Sequence, residues 1–292
     1  MSRIGRSQSD VLTIRTFFFS LFACFLSAAA ATAQQPEEKQ KPLWEVGVVG
    51  AMAYVPDYPA ASQNHAHFLP LPFAIYRGDI LRVGDESIIR GRFFESDRYE
   101  FDVSMNGSFP VDSDSNNARD GMDDLDYLFE VGPRLQIALA KAPKWAKIDL
   151  ELAVRAVFST DLSGIEYQGA VFHPKLAYER KNLLGAGSRL KVGIGPIIAN
   201  SGLHEYFYEV DPKFARAGRP AYEADAGYLG TELQVSLFTP ITDQFRIVGA
   251  VRGGYYKGSA NEDSPLYRED WTLGGGIAVI WSFLQSDAHA RD

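Results

Sequence analysis

The chain has 292 residues, 46% of them hydrophobic, 13% aromatic and 23% charged, with 26 Gly, 15 Pro and a single Cys. That composition excludes a disordered polymer, a collagen-like chain and a small disulfide-stapled fold. Its 29 Lys and Arg against 37 Asp and Glu give a net charge of -8, without the basic excess that nucleic-acid binding draws on.

Arg3, Arg6 and Arg15 precede an apolar run from Phe17 to Leu26, and small residues then lead to Ala31-Thr32-Ala33. This order of positive, apolar and small-residue regions reads as a secretory signal peptide over residues 1–33, cleaved after Ala33. The run is shorter than the ~20 residues a membrane-spanning helix needs. Cys24 lies inside the leader with Phe22 two residues before it, a poor setting for a lipoprotein anchor. The exported chain is therefore expected to carry no Cys, hence no disulfide, thiolate metal site or Cys nucleophile. Losing three Arg and one Asp with the leader brings its net charge to -10. The polar stretch 34–42 is expected to form a periplasmic N-terminal segment.

Beyond the leader no apolar run approaches the length of a spanning helix, and the dominant pattern is alternation. Tyr99, Phe101, Val103 and Met105 alternate with Glu100, Asp102, Ser104 and Asn106. Tyr127, Phe129, Val131, Leu135, Ile137 and Leu139 oppose Glu130, Arg134 and Gln136, and Ile148, Leu150, Leu152 and Val154 oppose Lys147, Asp149, Glu151 and Arg155. Phe172 and Leu176 oppose His173 and Lys175, Val192 and Ile194 oppose Lys191 and Gly193, and Leu233, Val235 and Leu237 oppose Glu232, Gln234 and Ser236. Ile247 and Val251 oppose Arg246 and Arg252, and Trp271, Leu273, Ile277, Val279, Trp281 and Phe283 oppose Thr272, Gly274, Gly276 and Ser282. A period of two marks strands with differently solvated faces.

The predicted strands run 43–55, 67–76, 79–83, 87–94, 98–110, 125–140, 145–158, 167–179, 188–199, 222–238, 244–257 and 268–283. The count is twelve, or ten without the two short segments between 79 and 94. Most are far longer than the ~5 to 6 residues of an ordinary strand. The polar face mixes both signs of charge with Gly, Ala and Ser, which suits a narrow hydrated interior, and aromatics gather near strand ends. The expectation is an all-β fold: a closed antiparallel transmembrane β-barrel over residues 43–283, with a C-terminal tail at 284–292. Connections near 77, 95, 142, 183 and 241 fall at one end, expected to be periplasmic. The longer ones at 56–66, 111–124, 159–166, 200–221 and 258–267 fall at the other, as the outer loops of such barrels do.

Four features invite a chemical reading. His65 and His67 have the spacing of a metal pair but no third ligand, so they are read as a solvated loop pair. His173 has no nucleophile motif beside it and is expected to be a hydrogen-bonded interior histidine. Asp112 to Asn117 resembles the start of a calcium loop, but Asn117 stands where that turn needs Gly and Asp123 where it needs Glu, so an acidic surface loop is expected. The inward set that includes Arg90, Arg92, Glu100, Asp102, Glu130, Arg134, Arg155, Arg246 and Arg252 is expected to pair across the interior and obstruct it. No catalytic, cofactor-binding or metal-binding residue is assigned, and no cofactor is expected.

Several segments together resemble a known family. Pro56-Asp57-Tyr58-Pro59-Ala60-Ala61-Ser62, Leu69-Pro70-Leu71-Pro72 and Tyr76-Arg77-Gly78 are followed by Asp124-Leu125-Asp126, Glu130-Val131-Gly132-Pro133, Gly218-Arg219-Pro220-Ala221-Tyr222, Ala226-Gly227-Tyr228 and Ser264-Pro265-Leu266. In this order they resemble the MipA/OmpV family of MltA-interacting outer-membrane proteins. Gly276, Val279, Trp281 and Phe283 resemble the terminal-strand signal of outer-membrane proteins, although Leu284 to Asp292 follow it. The resemblance implies a non-enzymatic barrel in the outer membrane of a Gram-negative bacterium. As partners it implies a lytic murein transglycosylase and a penicillin-binding protein, for which the barrel would be a scaffold. A narrow channel for small solutes or antibiotics, and an adhesin acting through the outer loops, are the alternatives. It supplies no partner-contact residues.

Overall fold

The computed structural model describes residues 42–77, 81–83, 89–95, 98–142 and 145–289. The leader, residues 34–41 and the last three residues lie outside that range. Among the described residues are ten long strands, of 10 to 16 residues, and two short ones. In chain order they are β1 (Trp44–Pro56), β2 (Asn64–Arg77), β3 (Leu81–Val83), β4 (Ile89–Glu95), β5 (Tyr99–Ser108), β6 (Tyr127–Ala142) and β7 (Ala146–Thr160). β8 (Glu166–Lys181), β9 (Arg189–Ala199), the helix α1 (Ser201–Tyr208), β10 (Gly227–Pro240), β11 (Phe245–Tyr255) and β12 (Trp271–Gln285) complete the set.

Every strand pairs antiparallel with its sequence neighbours, and β1 pairs with β2 on one edge and β12 on the other. The β1 to β12 ladder runs from Glu45 opposite Gln285 to Tyr54 opposite Gly275. Among the described residues β3 pairs with β2 through Tyr76 with Val83 and Arg77 with Arg82, and the β4 to β5 register shifts between Ile89 and Phe94. Residues just past β12 turn back to the start of the chain, where Leu43 N–H donates to the Ala288 carbonyl at 2.7 Å.

Alternation sets which face is greasy, and the burial of its polar partners shows which face is enclosed. Met52 is 59% exposed, Phe68 72% and Ile277 50%, whereas Asp102 and Ser282 are fully buried. Glu45, Arg77, Gln136, Asp149, Arg155, His173 and Glu179 are buried as well. A water-soluble barrel would reverse this, because burying charge while exposing apolar surface is costly in water. Aromatic clusters stand at both ends of the greasy face. On β11 and β12, Phe245 stacks on Trp281 with ring centres 5.7 Å apart, and at the other end Tyr255 meets Trp271 at 4.3 Å. Ten residues of strand at ~3.4 Å each, tilted ~40°, separate the two clusters by about 26 Å, close to the ~25 Å height of a barrel's apolar band.

The hydrophobic core lies at one end of the sheet. Leu128, Val157, Val171, Ala199 and Leu229, on the inner face near the long connections, pack against Tyr58, Ala61, Val111, Leu125, Leu203, Phe207, Tyr208, Val210 and Leu266. All of the latter belong to the long connections themselves, so residues 57–63, 109–126, 200–226 and 256–270 form a folded cap. Within it, α1 places Leu203, His204, Phe207 and Tyr208 on one buried side, the spacing of an amphipathic helix.

Candidate functional site

The space under the cap is lined by polar side chains whose ion pairs run along the wall. Asp102 on β5 stands in register opposite Arg134 on β6, and Arg134 donates from Nε at 2.9 Å and from Nη2 at 2.5 Å to its two carboxylate oxygens. Gln136 Nε2 adds a third donor to Asp102 at 3.2 Å. Arg155 Nε donates to Glu130 at 2.7 Å and its Nη1 to the Ser104 hydroxyl at 3.3 Å. Glu151 receives Lys175 at 3.1 Å and Arg134 at 3.5 Å, and Glu232 receives Arg252 at 3.3 Å. Glu45 holds a tighter knot near the short-turn end. Its carboxylate takes Arg77 at 2.7 Å, Arg246 at 2.5 Å and the Ser282 hydroxyl at 2.6 Å, and Arg246 also contacts Ser282.

The Arg246 to Glu45 pair crosses one strand, whereas the other wall ion pairs given above join adjacent strands. Pairing across the interior, expected from the mixed charges, gives way to pairing along the wall because register places opposite charges side by side. Glu151 faces Lys175, and Glu179 faces Lys191. Among the described residues a polar cavity of about 250 Å³ and a smaller one of about 130 Å³ with a mixed wall share Glu151, Lys175 and Gln234. The side chains of Arg90 and Arg92 lie outside the described residues.

His173 lines the larger cavity, yet its buried Nε2 has no hydrogen-bond partner, contrary to the expected hydrogen-bonded histidine. No hydrogen bond joins it to a hydroxyl among the described residues. Ser104 accepts from Arg155, Ser159 accepts from Gln168 and Ser282 donates to Glu45. His65 and His67 are on β2 and not in a loop. His65 Nδ1 lies 2.6 Å from Asp57 Oδ1, and His67 stacks on Phe109 with ring centres 4.3 Å apart. In the aspartate-rich segment Asp112, Asp114, Asp120, Asp123 and Asp124 are exposed, as expected of an acidic surface loop, while its uncharged and basic members anchor it. Asp112 caps a 3-10 turn at Ser113–Ser115, Asn116 donates to Asp57 at 2.6 Å, and Ser113, Asn116 and Arg119 are buried.

The cap is tied together loop to loop. The Tyr58 hydroxyl donates to the Leu266 carbonyl at 2.9 Å, Tyr208 to Pro59 at 3.0 Å, and Ser264 back to the Tyr208 carbonyl at 2.7 Å. Arg119 Nη1 donates to the Phe207 carbonyl and Nη2 to that of Asp123, and Arg219 Nη1 reaches Ala118 and Asp120. Burial pushes the Tyr58 phenol up to about 12 and lowers the Arg119 guanidinium below its usual range. At the centre, Asn261 is oriented by the Asp225 backbone, accepting its N–H at 2.9 Å and donating to its carbonyl at 2.8 Å. The same amide group donates to His204 Nδ1 at 2.8 Å, so His204 is neutral with its proton on Nε2, 3.2 Å from the Gly227 carbonyl. Burial lowers the His204 pKa in the same sense. Sequence alternation gave no notice of this cap. Leu203 with Phe207 and His204 with Tyr208, four residues apart, carry helical spacing over too short a span to stand out.

The family model for MltA-interacting protein MipA matches residues 48–283. The chain belongs to the MipA family. No curated protein matches it. Among solved structures, an outer membrane channel from Pseudomonas putida F1 is similar at a TM-score of 0.40 and 12% identity, covering 85% of this chain and 100% of its own. A bacterial polysaccharide outer membrane secretin is similar at 0.40 and 9%, covering 83% and 99%. Outer membrane phospholipase A from Escherichia coli is similar at 0.33 and 13%, covering 84% and 100%.

Proposed function

We propose that this MipA-family chain is a non-enzymatic barrel of the outer membrane, closed at twelve strands by the β1 to β12 ladder, that serves as a scaffold for peptidoglycan-remodelling enzymes. The observation that carries the membrane reading is the inverted pair of faces: Phe68 and Ile277 outside, Asp102 and Ser282 enclosed. Export by a signal peptide removed after Ala33 completes it. The long-loop end, with its acidic cap, faces the exterior. The short turns and residues 34–42 face the periplasm, where a murein transglycosylase and a penicillin-binding protein would dock. The description of the family as MltA-interacting supports the first partner, and the second rests on the resemblance alone.

The folded cap over an ion-paired interior favours a scaffold over an open pore. Pull-down of the detergent-solubilised protein with periplasmic extract is expected to recover a murein transglycosylase, and recovery of none would count against the scaffold. The second reading, a narrow solute path, is favoured by the two adjoining cavities, which share Glu151, Lys175 and Gln234. Planar-bilayer recording separates the two, because a capped scaffold holds conductance at baseline and a path does not.

A further inference from the structure

Cationic side chains outnumber carboxylates four to two in the wall of the larger cavity, where Ser104, Asn106 and Gln234 add neutral polar groups. Arg134, Arg155, Lys175 and Arg252 line it, against the carboxylates of Glu151 and Glu232. Both carboxylates are already engaged, Glu151 by Arg134 and Lys175 and Glu232 by Arg252. Asp102 and Glu130 neutralise Arg134 and Arg155 from positions outside the lining. Donors are left over. Arg155 is buried and uses Nε and Nη1, which leaves the N–H groups of Nη2. The ammonium of Lys175 has three N–H groups and a single carboxylate neighbour. His173, more than nine-tenths buried, brings the partnerless Nε2 to the same wall. A buried polar atom without a partner costs ~1 to 3 kcal/mol and calls for an explanation in a folded protein.

We propose that this cavity binds a small oxyanion, a carboxylate or a phosphate group, held by Arg155, Lys175 and Arg252 with His173 as an additional donor. Charge-assisted hydrogen bonds from guanidinium and ammonium groups suit such a ligand. Its volume of about 250 Å³ admits a small metabolite-sized acid and excludes a polymer. Val157 and Leu229, which pack against the apolar cap, lie two residues from Arg155 and three from Glu232 in the cavity wall, and the second cavity, with Lys147 and Lys191 in its wall, adjoins it at Glu151, Lys175 and Gln234. This site is independent of any murein partner.

The test uses the full exported chain in detergent micelles, with histidine labelled by nitrogen-15. Sodium phosphate and sodium acetate are titrated separately, against sodium chloride at equal ionic strength. The His173 resonance, assigned by its loss in His173→Gln, is expected to shift saturably with phosphate, acetate or both, and the two arms identify the anion class. The His65 and His289 signals are expected to follow ionic strength alone. Arg252→Gln, at a half-exposed side chain, and Lys175→Gln are each expected to weaken binding on the order of tenfold. Heat-modifiable migration on gels confirms that each variant is folded, and Arg252→Gln decides the matter if Lys175→Gln is not. The proposal is overturned if neither oxyanion shifts His173 saturably, if chloride does so equally, or if folded Arg252→Gln binds as the parent does.

Discussion

Asp102 has no exposed surface and takes three donors from Arg134 and Gln136. Removing one member of such a buried pair leaves the other charge uncompensated, at ~3 to 5 kcal/mol, whereas replacing both by apolar groups is far less damaging. Asp102→Asn is therefore expected to lower the urea midpoint of the vesicle-embedded protein strongly, and Asp102→Leu with Arg134→Met to recover most of the loss. Equal midpoints for single and double variants would refute the pairing. His204 makes a second residue-scale prediction. Its folded pKa is lowered, so the unfolded chain binds the proton first. The stability that neutral His204 contributes is whole above its unfolded value of ~6.5 and is lost as the pH falls through the lower folded value. Protonated Nδ1 would also set a donor against the Asn261 amide. Hydrogen exchange in α1, corrected for intrinsic rates, is expected to quicken between pH 7.5 and 5.5 and to lose that dependence in His204→Asn. At this scale, alternation identified Asp102 and His173 as inward. It could not say which groups they would meet, because partner choice depends on inter-strand register.

Among the elements, the strands were legible and the cap was not, for the same physical reason. A strand with an apolar outer face and an enclosed polar one must alternate, so β5 to β12 announced themselves to within a few residues. The short β3 and β4 lay where the pattern was weakest. The cap buries its apolar residues in irregular segments, where Tyr58, Val111, Val210 and Leu266 sit many residues apart with no period. Even α1, eight residues long, falls below the window in which helical spacing stands out. Gly169, with φ of +137°, marks the seat of this helix. A Cβ there would crowd Asn200, whose Oδ1 accepts the Ala170 N–H at 2.9 Å. Because Leu203 and Phe207 join α1 to the inner ends of the strands, Leu203→Ala with Phe207→Ala is expected to remove several kcal/mol of cap stability, at ~2 to 5 per site. The prediction is specific: faster hydrogen exchange in 256–270 with unchanged heat-modifiable migration. Loss of the barrel's migration shift would show instead that cap and wall fold as one unit.

At the scale of the whole molecule, charge and grease are separated by position. The long connections 57–63, 109–126, 161–165, 200–226 and 256–270 hold 17 Asp and Glu against 6 Lys and Arg, a net -11. The chain as a whole carries only -8, so its acidity is concentrated at the capped end. Such an end suits water, while the band between the two aromatic clusters is apolar. Ile277 lies inside that band, half exposed, with Leu273 and Trp281 four residues to either side on the same face. A lysine placed there would meet hydrocarbon if the outer face is lipid-facing and water if it is not. Ile277→Lys is expected to cost ~2 to 4 kcal/mol for insertion into vesicles, as basic residues do near the bilayer midplane, and to reduce the folded fraction at intermediate urea. In a soluble fold the same change would relieve an exposed apolar patch and leave stability within ~0.5 kcal/mol of the parent. The two outcomes differ by enough to decide, from one substitution, what the outer surface of this protein touches.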